Sequence, residues 1–193
     1  MADYDKAVQY ILDKLENSLD PYLYYHGLHH TKDVLSSVEH IALSEGVTEH
    51  ELNLLKVAAA YHDCGFLVMY KNHEEVSCGI AFEALPRFGF TPDEMETVFG
   101  MIKATKVPQS PKNKLEKIIC DADLDYLGRD DFEHISDSLY QEFKHWNIVS
   151  DFKTWMTIQV NFLENHVYWT DFSKKYRREG KLKKLAELKA VKY

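Results

Sequence analysis

The sequence predicts an all-α protein, one helical bundle over residues 1–193. Three observations carry this expectation. Apolar residues recur at three- and four-residue spacing along most of the chain. Two Thr-x-x-Glu boxes, at Thr48 and Thr91, have the form that opens a helix by reciprocal capping. No stretch alternates apolar and polar residues as a half-buried strand does.

Residues 3–19 put Val8, Ile11, Leu12, Leu15 and Leu19 on one helical face, and Pro21 stops the pattern. A second helix, from about His29 to Ser44, turns Val34, Leu35, Val38, Ile41 and Ala42 inward, with Gly46 just past its end. Thr48 and Glu51 start a third, which runs through Leu52, Leu55 and Ala59 to His62. A fourth covers roughly 73–88, kinked or shortened by Pro86. Thr91-Pro92-Asp93-Glu94 supplies an N-cap, a proline at the first helical position and a carboxylate at the third. Helices near 113–127, 131–146 and 151–178 follow. The last carries Phe152, Trp155, Phe162, Leu163, His166 and Trp169 along one stripe, and a short basic helix closes the chain after Gly180. Val107-Pro108-Gln109-Ser110-Pro111 is a loop too short to link domains.

At 193 residues, with 45% hydrophobic and 13% aromatic content, the chain is long enough for one well-formed core. No apolar run reaches the roughly 20 residues needed to span a bilayer. Met1-Ala2-Asp3-Tyr4-Asp5 is acidic and unlike a signal peptide, and Cys64, Cys78 and Cys120 lack framework spacing; both point to a cytoplasmic protein with reduced thiols. The net charge of -8 argues against nucleic acid as a partner. Charge is uneven, however: Phe172 to Tyr193 holds nine Lys/Arg against two Glu, a local +7 on a body of -15. Such a tail reads as a solvated helix end whose lysines the dipole favours, and it also suits phosphates, an acidic surface, a neighbouring subunit, or the acidic body of its own chain.

The most informative feature is His62-Asp63, which closes the apolar run Val57-Ala58-Ala59-Ala60-Tyr61. A carboxylate buried there is costly unless its charge is compensated, and a divalent metal would do so. His30 upstream and Asp123, in Asp121-Ala122-Asp123-Leu124, are further candidate ligands. Adjacent residues on a helix point about 100° apart, so His62 and Asp63 converge on one ion only near a helix end. Two imidazoles and two carboxylates suit Mn²⁺, Fe²⁺, Co²⁺, Ni²⁺, Zn²⁺ or Mg²⁺ with positions left for water. Such an ion acidifies water and polarises a phosphoryl oxygen, which is hydrolytic chemistry.

Three segments, in order and spacing, extend this reading. Tyr25-His26-Gly27-Leu28-His29-His30-Thr31-Lys32-Asp33-Val34, then Ala58-Ala59-Ala60-Tyr61-His62-Asp63-Cys64-Gly65, then Cys120-Asp121-Ala122-Asp123-Leu124-Asp125-Tyr126-Leu127-Gly128 resemble the signatures of the HD-domain metal-dependent phosphohydrolases. The resemblance covers roughly residues 20–130. It implies the metal ligands His30, His62, Asp63 and Asp123, with Asp63 also at the catalytic centre and Asp121 a supporting or capping carboxylate. Tyr25-His26 aligns with the start of the cyclic-nucleotide phosphodiesterases of this superfamily, which implies His26 as proton donor to the leaving oxygen; the same residue also reads as a turn residue before Gly27. His73, ten residues after the pair, corresponds to a site-lining His in related members, and also reads as the first turn of a helix whose Glu74 and Glu75 complement the dipole.

The departures limit the substrate. Dinuclear members carry a further His where this chain has Ile102-Lys103-Ala104-Thr105-Lys106, so the resemblance implies one metal per chain and disfavours the di-iron oxygenase branch. Lys103 or Lys106 could instead meet a substrate phosphate as a point charge, or lie in solvent. Cys64-Gly65-Phe66-Leu67 replaces the Glu-Asp of (p)ppGpp hydrolases, and the Gly-Tyr-Pro of cyclic-di-GMP phosphodiesterases is absent. What remains is similar to small stand-alone bacterial HD hydrolases, which implies a phosphoester, phosphodiester or pyrophosphate bond of a nucleotide-like substrate. The competing class is a non-catalytic, metal-containing module that senses a nucleotide or binds a partner.

Overall fold

A computed structural model describes residues 2–191 of the protein. Among the described residues there are ten α-helices, three short 3-10 turns and no strand. The helices are α1 Tyr4–Ser18, α2 Leu28–Glu45, α3 Glu49–Tyr61, α4 His73–Ala84, α5 Pro92–Ala104, α6 Lys114–Asp123, α7 Phe132–His145, α8 Phe152–Asn165, α9 Asp171–Tyr176 and α10 Arg178–Ala190.

The local signals act as read. Thr48 and Thr91 each accept the backbone N–H of the Glu three residues on, and Glu51 and Glu94 reach back to the Thr backbone. Gly46 ends α2 in the left-handed region at φ 64°, where a side chain would be strained. Pro86 shortens the fourth helix: α4 stops at Ala84 and Pro86 falls in the 3-10 turn Leu85–Phe88.

The centre of the bundle is α3, whose Val57, Ala58, Ala59, Ala60 and Tyr61 are wholly buried. A helix apolar on every side must be surrounded, and α1, α2 and α5 pack around it. Ile11 and Leu15 of α1, Val38 and Ile41 of α2, and Ile102 of α5 fill one continuous core with it. The Tyr61 hydroxyl fixes α3 to α1 by donating to the Ala7 carbonyl at 3.1 Å. A second apolar cluster, with Tyr126, Leu127, Phe132 and Leu163, joins the turn after α6 to α7 and α8.

One predicted element is corrected. The stripe from Phe152 to Trp169 is not a single helix over 151–178: α8 ends at Asn165, His166 turns extended at ψ 136°, and α9 starts after Thr170. The cause lies in α6, where the fully buried Asp121 accepts the backbone N–H of Trp169 at 2.9 Å and of Thr170 at 2.8 Å, and the Thr170 hydroxyl at 2.6 Å. Charge-assisted bonds to a buried carboxylate outweigh the helical preference of four residues. Phe152, expected inward, is 47% exposed.

The basic tail meets its own acidic body. Arg177 Nε lies 2.8 Å from Asp125, Lys184 reaches Glu133 at 2.5 Å, and Lys189 pairs with Glu164. Lys181 is buried and donates to the last carbonyls of α8, Leu163 O at 3.1 Å and His166 O, where the helix dipole favours a cation. Gly180 is not a boundary but lies inside α10.

Candidate metal centre

Three helix ends assemble the site. His62 still has helical angles at the C-terminus of α3, whereas Asp63 has left the helix at φ -107°, ψ 6°. The chain bends between them, so side chains that diverge on a regular helix point to one place. His30 arrives from the first turn of α2, and Asp123 is the last residue of α6.

One donor atom each from His30, His62 and Asp123 lies within 4.8 Å of the others, a group that could hold a metal ion, and Asp63 stands beside its two imidazoles. His30 Nε2 is 3.3 Å from His62 Nε2, 3.4 Å from Asp63 Oδ2 and 3.1 Å from Asp123 Oδ1. His62 Nε2 is 3.2 Å from Asp63 Oδ2 and 3.5 Å from Asp123 Oδ1. Neighbouring ligands at about 2.1 Å from a divalent ion lie about 3.0 to 3.4 Å from each other. Asp63 Oδ2 is buried and makes no aligned hydrogen bond, despite the two imidazoles beside it. His62 Nδ1 is bound to the Ala59 carbonyl at 2.8 Å. That bond fixes the ring and leaves Nε2 to the cluster, as is usual for a ligating imidazole. His30, His62 and Asp123 therefore fit a divalent cation, and the unpartnered Asp63 Oδ2 lies beside them.

Within the cluster the imidazoles and carboxylates compensate one another's charge. Burial opposes ionisation of Asp63, yet His62 and His73 beside it hold its carboxyl well below the ordinary range. Asp123 is likewise held to about 2, against burial, by bonds from His30 and His62. Burial would lower His62, but Asp63 and Asp123 push it well above its usual value.

His73 and His26 complete the rim. Asn72, in the left-handed region at φ 58°, starts α4 immediately before His73. Gly65 lets α4 approach: a Cβ there would stand 2.0 Å from the His73 carbonyl, and its N–H donates to Ser77 Oγ at 2.8 Å. His73 Nε2 comes within 3.3 Å of Asp63 Oδ1. Burial would lower His73, but its bond to Asp63 raises it. The Phe66 ring stacks on His26 at 4.5 Å and on His73 at 4.0 Å between centroids.

His26 is held from the far side of the fold by Glu142 of α7. This wholly buried carboxylate accepts the backbone N–H of Tyr25 at 2.8 Å and of His26 at 3.0 Å, and the Tyr70 hydroxyl at 2.7 Å. Its other oxygen-to-nitrogen contact is with His26 Nδ1 at 2.5 Å. Burial would raise Glu142, but the bond from His26 keeps it below its ordinary value. Sequence reasoning missed Glu142, Tyr70 and Phe66. A signal existed for Glu142, which lies on the apolar stripe of α7 with Phe132, Ser136 and Leu139. An acid on such a stripe needs a buried partner.

His26, His30, His62, Asp63, His73 and Asp123 are thus brought together. His29 lines a neighbouring pocket that His30, Asp33 and Arg129 also line. Two expected residues do not join the site. Asp121 faces the Trp169–Thr170 turn, so it is a capping carboxylate only. Lys103 is exposed and does not line the cavity over the cluster, because it stands on the outward face of α5, next to the inward Ile102. Lys106 borders that cavity, with its ammonium 2.9 Å from Glu75.

This all-α fold gathers His and Asp side chains from three helix ends into a group that could hold a metal ion. The chain belongs to the HD domain family, whose model matches residues 27–125. HD domains bind divalent metals. Two crystal structures share the fold. A predicted HD superfamily hydrolase from an uncultured Thermotogales bacterium is 21% identical, with a TM-score of 0.63 over 93% of this chain and 87% of its own. A protein from Lactobacillus plantarum is 18% identical, with a TM-score of 0.66 over 96% of each chain. No curated protein matches the chain in sequence. No helix among the described residues is long and apolar enough to cross a membrane.

Proposed function

We propose that this protein is a phosphohydrolase that cleaves the ester bond of a small phosphorylated molecule with one divalent metal held by His30, His62, Asp63 and Asp123. The observation that carries the reading is the orphaned Asp63 Oδ2, within 3.2 Å of His62 Nε2 and 3.4 Å of His30 Nε2 on the edge of an open cavity. A bound ion would supply Lewis-acid polarisation of the phosphoryl group and acidify the attacking water.

The chain's own residues do the rest. With Nδ1 committed to Glu142, His26 presents Nε2 as the nitrogen that holds a proton for the departing oxygen. Glu142 positions that imidazole and balances its charge. His73 orients Asp63 through Oδ1, which leaves Oδ2 for the cluster. Phe66, stacked on both rings, holds them side by side on the edge of the cavity. Lys106 brings an ammonium to the mouth, where Glu75 at 2.9 Å and Glu74 at 4.0 Å offset its charge, and an anionic substrate would have to compete with them for it. Because α7 supplies Glu142 to the site, that helix belongs to the same functional unit as the metal cluster.

The test is metal analysis of the purified protein together with turnover of a panel of phosphate esters and nucleotides. Asp63→Ala should lose both the metal and hydrolysis. Undiminished turnover in that variant, or binding without turnover in the metal-loaded wild type, would refute the proposal.

A further inference from the structure

The cavity over the cluster holds about 610 Å³, a volume in the range of sites that enclose whole organic ligands. It continues from the His–Asp cluster into a space faced by Leu139, Phe143, Trp155, Ile158 and Phe162, contributed by α7 and α8. Charged side chains belong to its other walls: Lys71 and Glu74 around the start of α4, and Lys106 after α5. The space is an open cleft whose α7–α8 wall is mainly apolar. Ile148 and Ile158 on its border are 44% and 37% exposed, apolar surface that a ligand would take out of water.

The α7–α8 wall offers two polar side chains, Ser136 and Gln159, which are 6% and 8% exposed. The Ser136 hydroxyl donates to Gln159 Oε1 at 2.7 Å. The Gln159 amide nitrogen meets the Met156 sulfur at 4.0 Å, a weak acceptor that leaves this buried donor available.

We infer that this arm receives the organic part of the substrate, and that this part is apolar: an alkyl or aryl phosphate with one hydrogen-bond acceptor for Gln159, rather than a ribonucleotide. The inference rests on the phosphohydrolase reading for the position of the phosphate. A ribose and base carry several donors and acceptors. Set against Leu139, Phe143, Trp155 and Phe162, each would lie unpaired and lose roughly tenfold in affinity. An alkyl chain gains with every group buried.

Calorimetric titration of the Mn²⁺-loaded protein with methyl-, butyl- and octylphosphonate, and with AMP, tests the arm without turnover. Affinity should rise roughly fourfold per methylene until the arm is full, and AMP should bind more weakly than butylphosphonate. Ile158→Lys, checked for folding by circular dichroism and melting, should flatten the gradient; if it does not fold, the wild-type gradient alone decides. Affinity independent of chain length, or AMP binding tighter than octylphosphonate, overturns the inference. Hydrolysis of the matching esters separates the two readings. A clear gradient with no ester cleaved upholds the arm and refutes the phosphohydrolase. Cleavage of nucleotides with no gradient does the reverse.

Discussion

Glu142 and His26, 116 residues apart in sequence, form a buried carboxylate–imidazole pair with Oε1 2.5 Å from Nδ1. Because the same carboxylate also takes the backbone N–H groups of Tyr25 and His26, it fixes both the ring and the chain that carries it. In the proposed reaction Glu142 is a positioning residue, since it reaches the substrate only through His26. Glu142→Gln keeps the shape but removes the charge. It should lower kcat about 100-fold for an alkyl phosphate, whose leaving oxygen must be protonated. For a p-nitrophenyl ester, which leaves without a proton, the loss should be far smaller, and metal content should not change. Equal losses on both esters would reduce Glu142 to a structural role.

Asp121 and Asp123 are two residues apart yet separate cleanly in consequence. Asp121 is wholly buried and satisfies the turn at Trp169 and Thr170. Asp121→Ala should cost about 2–3 kcal/mol by orphaning those donors, which lowers the melting temperature by about 5–10 °C in a domain of this size. Metal stoichiometry should remain that of the wild type. Loss of metal from the folded variant would contradict this assignment.

The contrast between these two aspartates shows what the sequence could convey. The boxes at Thr48 and Thr91 and the stop at Gly46 are legible because capping acts within one turn of chain. The motif segments that carry His30, His62, Asp63 and Asp123 were legible as a family resemblance, although their meeting depends on three helix ends coming together. The break at His166 was not legible: local periodicity favours continuation, and the carboxylate that interrupts it lies 45 residues earlier. Lys103 and Lys106 look alike in sequence, and only the packing of α5 shows which one reaches the cavity. The apolar space between α7 and α8 is made of residues that read, one by one, as ordinary core.

Two helical glycines should respond to the same substitution with opposite signs. Gly79 is exposed within α4 and a Cβ there would meet nothing within 4 Å. Gly79→Ala should therefore stabilise by roughly 0.5–1 kcal/mol, the usual gain in a helix interior. Gly180, inside α10, sits against the turn after α6: a Cβ would stand 2.3 Å from the Gly128 carbonyl oxygen. Gly180→Ala should destabilise by about 1–3 kcal/mol, because the docked helix must move. Urea unfolding of both variants checks the pair, and stabilisation by Gly180→Ala would show that α10 does not dock in this way.

His166 should make the fold sensitive to acid. Burial, reinforced by the Lys181 ammonium, lowers its imidazole from 6.5 to about 3, and neither ring nitrogen has a hydrogen-bond partner. The unfolded chain therefore binds a proton near pH 6.5 that the folded chain refuses until about pH 3. Between those values the unfolded state holds more protons, so stability rises with pH; it is complete above 6.5 and falls as pH drops through the window. One such group contributes at most about 1.4 kcal/mol per pH unit. His166→Phe orphans no partner and keeps a ring against Phe162, whose centroid is 6.1 Å away. Urea midpoints measured from pH 7 to pH 4 should fall less steeply in this variant than in the wild type. Identical slopes would mean that the folded protein already accepts the proton on His166.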